Sequence, residues 1–69
     1  MSKRRVHFAS DHAAIDLRQA LIARAQESGF EPVDHGPINA ESVDYPDQAT
    51  LVADALRQEP DALGVLVCG

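Results

Sequence analysis

Apolar and polar positions along the chain switch period four times. Arg5-Val6-His7-Phe8-Ala9-Ser10 is short and largely apolar, which predicts a first strand. A 3.6-residue period follows. Ala14, Leu17, Leu21 and Ala25 recur at helical spacing, and Ile15 and Ile22 widen the stripe, so a helix is predicted from about Ala13 to Ser28. Gly29 is the stop, because glycine takes the left-handed position after a helix without steric cost. Phe30 to Asp34 predicts a second strand. Pro32 lacks the N–H that a ladder needs, so this strand belongs at an edge. Gly36-Pro37 opens a polar loop to about Ser42. Asp44-Tyr45-Pro46-Asp47 is a helix start, with Asp44 as N-cap, proline in the first turn and acids at the positive end of the dipole. Ala49, Val52, Ala53 and Leu56 line one face of that helix, and Pro60 ends it. Leu63 to Cys68 is apolar throughout, the mark of a parallel strand buried on both faces.

The string β-α-β-α-β implies a parallel α/β sheet with right-handed crossovers. The fold expected is a three-layer α/β/α sandwich with strand order 2-1-3. The chain then changes direction between the first and third strands. That reversal is a switch point, and open α/β sheets bind ligands there, at the carboxyl ends of the strands. Ser10-Asp11-His12 and Val67-Cys68-Gly69 both occupy such ends. The third strand would also be an apolar edge without gatekeeping charges, so more strands are expected after Gly69.

Sixty-nine residues make one domain at most. The apolar fraction of 45% is ordinary for a folded domain, so burial must supply the stability. A single cysteine excludes an internal disulfide, and no zinc spacing occurs. The net charge of −5 argues against a nucleic-acid partner. Lys3-Arg4-Arg5 reads as a solvated lead-in to the first strand. No apolar run is long enough for a membrane span and no signal core is visible, so a cytoplasmic location is expected. No P-loop, dinucleotide fingerprint or metal motif is present, and neither cofactor nor metal is expected.

Four residues carry candidate chemistry. Asp11 can cap the first helix, with His12 exposed in the first turn. Alternatively His12 points into the crevice as an acid, base or anion ligand, backed by a helix amino terminus. Cys68 can pack as a small hydrophobe. At a strand end before glycine it can also face a cleft, where catalysis requires a thiolate. Tyr45 can cover the helix end or touch a ligand. His7 and His35 read as structural.

Ser10-Asp11-His12-Ala13, Asp44-Tyr45-Pro46-Asp47 and Leu66-Val67-Cys68-Gly69 together resemble the type B ribose-5-phosphate isomerases, and Val33-Asp34-His35-Gly36 is similar to a further stretch of that family. The related galactose-6-phosphate isomerase subunits are similar as well. The resemblance runs in order over essentially all 69 residues, as the amino-terminal part of a single domain. It implies a metal-free aldose-ketose isomerase acting on a phosphorylated sugar through an enediolate, working as a homodimer or higher homo-oligomer. It implies Cys68 as the base, Asp11 and His12 as substrate contacts with His12 also catalytic, and Tyr45 and Gly69 in the pocket. Backbone N–H groups after Cys68 could stabilise the enediolate oxygen. Ala14 departs from the family's common glycine, and Pro32 interrupts its second strand. The Thr-Gly-x-Gly stretch after Cys68-Gly69, a later His-Asn pair and the phosphate-holding arginines lie outside these residues. The other readings are a hexose-phosphate isomerase subunit and a non-catalytic flavodoxin-like interaction module.

Overall fold

The structure, a computed structural model, describes residues 3–37 and 45–69, with side chains described in the second stretch from residue 48 onward. Three strands, β1 (Arg5–Ser10), β2 (Glu31–Asp34) and β3 (Leu63–Val67), form one sheet in the order β2-β1-β3. Both pairings are parallel. Pro32 sits opposite Val6 on the outer strand, where its missing N–H breaks no ladder bond.

Helix α1 (Ile15–Glu27) lies on the face of Val6, Phe8, Leu63 and Val65. Helix α2 (Tyr45–Gln58) lies on the other face, with Val52 and Leu56 against Gly64. Side chains alternate across a strand, so β1 feeds both layers. Val6, Phe8 and Ala9 are buried, as are Ala14 and Val52. The core is thus β1 with one buried layer on each side.

The ends of α1 follow from local chemistry. A 3-10 turn, His12–Ala14, precedes α1 in place of a helix beginning directly at Ala13. Asp11 caps that turn and tightens it, so the α-helical run starts two residues later than its apolar period suggests. At the other end, Gly29 has φ 92° and its N–H donates to the Gln26 carbonyl, while the Phe30 N–H donates to Ala25. These two bonds are a Schellman motif, which takes Phe30 out of β2 and satisfies two orphan carbonyls.

A further sequence expectation changes in the packing of α1. The buried seam of α1 passes through Arg18 rather than Leu17, which is 53% exposed. Counting apolar periods places a charged residue on the water side, yet the guanidinium finds two hydrogen-bond acceptors and an ion-pair partner beneath the sheet's carboxyl end. Strand β3 is the apolar edge expected for it within these residues: Leu63 and Leu66 are exposed, and β1 is its one strand neighbour among the described residues. It ends at Val67, leaving Cys68 beyond the ladder. The Asp44 cap and most of the polar loop lie outside the described residues.

Candidate active site

The two strand-end segments meet through one carboxylate. Parallel register sets Ser10 beside Val67, and the next residue, Asp11, donates its N–H to the Val67 carbonyl at 3.2 Å. The chain leaves both strands at the same height. The Asp11 carboxylate then accepts from the Ala13 N–H at 3.0 Å and from the Gly69 N–H at 3.0 and 3.1 Å to its two oxygens. Asp11 therefore caps the 3-10 turn and also ties β3's end to it. Hydrogen bonds to a charged group contribute roughly 1.5–3 kcal/mol, and a partly exposed carboxylate stands at the low end of that range.

Gly69 is required by space at this junction. A Cβ there would lie 2.5 Å from the Ala13 Cβ and 3.0 Å from its carbonyl carbon. The backbone approach is close enough that any side chain would push the two segments apart.

His12 and Cys68 are both exposed and border this junction from opposite strands. Tyr45 opens α2, and its side chain lies outside the described residues. The Gly69 N–H, offered above as a donor toward an enediolate oxygen, is directed at Asp11 here, because that carboxylate lies within hydrogen-bond reach of it. Among the described residues no group of three or more acidic, histidine or cysteine side chains has metal-binding geometry. No helix there is long and apolar enough to cross a membrane.

Beneath the junction lies Arg18, which is fully buried. One terminal nitrogen donates to Ser10 Oγ at 2.8 Å and the other to the Pro37 carbonyl at 2.6 Å. Its Nε is 3.1 Å from Asp34 Oδ1, close enough for an ion pair though not aligned as a hydrogen bond. A buried charge is tolerable only when paired and hydrogen-bonded in this way. Asp34 Oδ1 also accepts from the Gly36 N–H at 2.9 Å, which turns the loop after β2. Sequence reasoning missed Arg18. Its acceptors come from three separate stretches, and only the fold assembles them.

His7 and His35 form a second polar cluster on the α2 face. His7 Nδ1 and His35 Nε2 are 2.9 Å apart, and the rings stack with centroids at 5.1 Å. His7 Nε2 is 3.4 Å from Glu59 without hydrogen-bond alignment. Burial and the neighbouring His7 hold the His35 pKa below its ordinary value. The cluster joins β1 to the end of β2, in keeping with a structural role for both histidines.

The fold and this junction define an α/β protein with a strand-end site built around Asp11. The Ribose/Galactose Isomerase family model matches residues 6–69, and the chain belongs to that family. A probable ribose-5-phosphate isomerase B of Mycoplasma pneumoniae is 34% identical over 65 residues, covering 93% of this chain and 43% of that protein. Ribose-5-phosphate isomerase B of Escherichia coli is 33% identical, covering 96% and 44%. The type B ribose 5-phosphate isomerase structure of Trypanosoma cruzi superposes with a TM-score of 0.86 at 43% identity, covering 99% of this chain and 46% of that one. A ribose-5-phosphate isomerase B from Mycoplasma genitalium, solved with bound ribulose-5-phosphate, superposes at 0.88 with 35% identity, over 100% of this chain and 47% of that one. The chain thus spans less than half the length of these relatives.

Proposed function

We propose that the protein carrying this chain interconverts ribose 5-phosphate and ribulose 5-phosphate, with residues 1–69 as the amino-terminal part of its single α/β domain. The observation that carries this reading is the Asp11–Gly69 junction, which holds the His12 turn against the Cys68 end at the switch point of the sheet. Family membership and the naming of the relatives support the substrate class.

On the open-chain aldose, the Cys68 thiolate removes the C2 proton. The C–H electron pair forms the C1–C2 double bond, and the carbonyl electrons move onto O1 to give the enediolate. The C2 hydroxyl proton passes to O1. The O2 electron pair forms the C2 carbonyl as the C1–C2 double bond takes the proton that the thiol returns to C1, and the ketose results with the thiolate regenerated. A base of this kind works when its pKa lies near the operating pH. His12 opens the ring or contacts the phosphate, since an imidazole can both donate and accept a proton. Asp11, Tyr45 and Gly69 border the substrate. The enzyme works without metal, as a homodimer or higher homo-oligomer in the cytoplasm.

The test uses the full-length protein. Cys68→Ala and Cys68→Ser are expected to abolish exchange of the substrate C2 proton with solvent while ribose 5-phosphate still binds. Near-normal exchange in both variants would remove Cys68 from the chemistry. Turnover of galactose 6-phosphate in place of ribose 5-phosphate would assign the protein to the hexose branch. No turnover of either would favour a non-catalytic module.

A further inference from the structure

We propose that Arg18 is a positioning residue for the isomerase site, acting on Asp11 through the Ser10 hydroxyl. This deepens the function proposed above and rests on it. The relay is short and directional. An Arg18 terminal nitrogen donates to Ser10 Oγ at 2.8 Å, and that hydroxyl donates onward to the Asp11 carbonyl at 2.9 Å. With its oxygen already accepting from a cation, the hydroxyl has its proton committed to Asp11, and charge-assisted bonds of this type are stronger than neutral ones. The Asp11 side chain in turn holds the Ala13 and Gly69 N–H groups. One buried cation thus holds the backbone carbonyl of Asp11, the residue whose carboxylate joins the His12 turn to the Cys68 end.

The same guanidinium holds the far wall. Its second terminal nitrogen donates to the Pro37 carbonyl, and its Nε pairs with Asp34, whose carboxylate turns the loop at Gly36. The Ser10 N–H also donates to the Gly36 carbonyl. Both turns leave the carboxyl edge of the sheet, so Arg18 braces the two strand ends together. A surface arginine would suffice for charge balance. Full burial with two hydrogen-bond acceptors and an ion-pair partner specifies a position instead.

The test is made on the full-length protein with three variants. Arg18→Met removes the cation and keeps the stem. It is expected to lower kcat for ribose 5-phosphate and C2 proton exchange about 10- to 100-fold, the scale of loss for an ångström-level misplacement. Ser10→Ala keeps the cation but removes the relay hydroxyl and leaves one buried Arg18 N–H without its acceptor, so it should lower kcat about 3- to 10-fold with a moderate fall in thermal stability. Arg18→Lys keeps the charge by Asp34 but has no planar fork, so it should recover stability more fully than kcat. Amide NMR provides a readout independent of turnover. The Gly69 and Ala13 N–H signals should move upfield in Arg18→Met and Ser10→Ala, while the Glu31 N–H, at the opposite end of the sheet, stays in place. A folded Arg18→Met protein with kcat within about twofold and unmoved Gly69 and Ala13 amides would overturn the proposal, because a misplaced site cannot keep its rate. If Arg18→Met fails to fold, Ser10→Ala and Arg18→Lys decide by the same criteria. If the wild-type protein turns over no ribose 5-phosphate, the function proposed above fails and the amide shifts alone judge the relay.

Discussion

Gly69 illustrates what a single residue position demands. Its amide must reach the Asp11 carboxylate, and its Cα must pass the Ala13 backbone with no room for a methyl group. Here the constraint comes from close approach rather than from a left-handed backbone. A Gly69→Ala substitution meets the Ala13 backbone itself, which cannot swing aside as a flexible side-chain tip can. Overpacking of this kind costs about 1–3 kcal/mol when the surroundings must shift. The shift would part the Cys68 end from the His12 turn. In the full-length protein Gly69→Ala is therefore expected to lower kcat/KM by at least about tenfold, the scale of an ångström-level displacement, while global stability falls modestly. Steady-state kinetics beside a thermal melt check this, and wild-type kinetics would mean that the junction has slack.

At the scale of elements, strands and helices were legible because each buries a periodic face. The strand order was legible from one residue, Pro32, which only an outer strand accommodates. The Asp11–Gly69 contact was legible as a neighbourhood, since a 2-1-3 parallel sheet brings those strand ends together. The Arg18 brace was not legible, because Ser10, Asp34 and Pro37 converge only in three dimensions and helical counting sends a charge outward. The part-buried imidazole pair was equally hidden. His7 and His35 face each other through two ring nitrogens 2.9 Å apart, and a bond between them needs one nitrogen without a proton. Burial and His7 lower the His35 pKa from 6.5. The folded chain thus prefers neutral His35, and the stability this contributes is fully present above the unfolded value. It is lost as pH falls below 6.5 and through the lower folded pKa. Thermal melts of the full-length protein between about pH 8 and 5 are expected to show Tm falling in the acid limb. His35→Gln, which cannot take up the proton, should flatten that limb. An identical slope in both proteins would place the acid sensitivity elsewhere.

For the molecule as a whole, the open side of β3 dominates. On the α1 face, Leu63 and Val65 line an apolar groove of about 290 Å³ with Phe8, Leu21 and Phe30. On the α2 face, Leu66 and Gly64 line another with Val52 and Leu56. Both grooves run beside the same strand, whose outer edge has no strand partner among the described residues. Parallel sheets require cover on both faces and tolerate flat apolar edges badly. Helix α2 packs Val52 and Leu56 closely over Gly64, where a Cβ would sit 2.8 Å from Leu56. Alternation matters too. Leu63 and Leu66 fall on opposite faces, and one added strand or chain would cover both grooves at once. A polypeptide limited to residues 1–69 is therefore expected to self-associate through β3, sedimenting well above its monomer mass of 7.4 kDa. Leu66→Lys sets a charge on the edge without touching the Asp11 junction and should shift the distribution toward monomer, as edge lysines do in natural sheets. Sedimentation velocity at several concentrations separates the outcomes. A wild-type monomer at all concentrations would show that β3 is protected by some other means, and oligomers unaffected by Leu66→Lys would move the contact away from this strand.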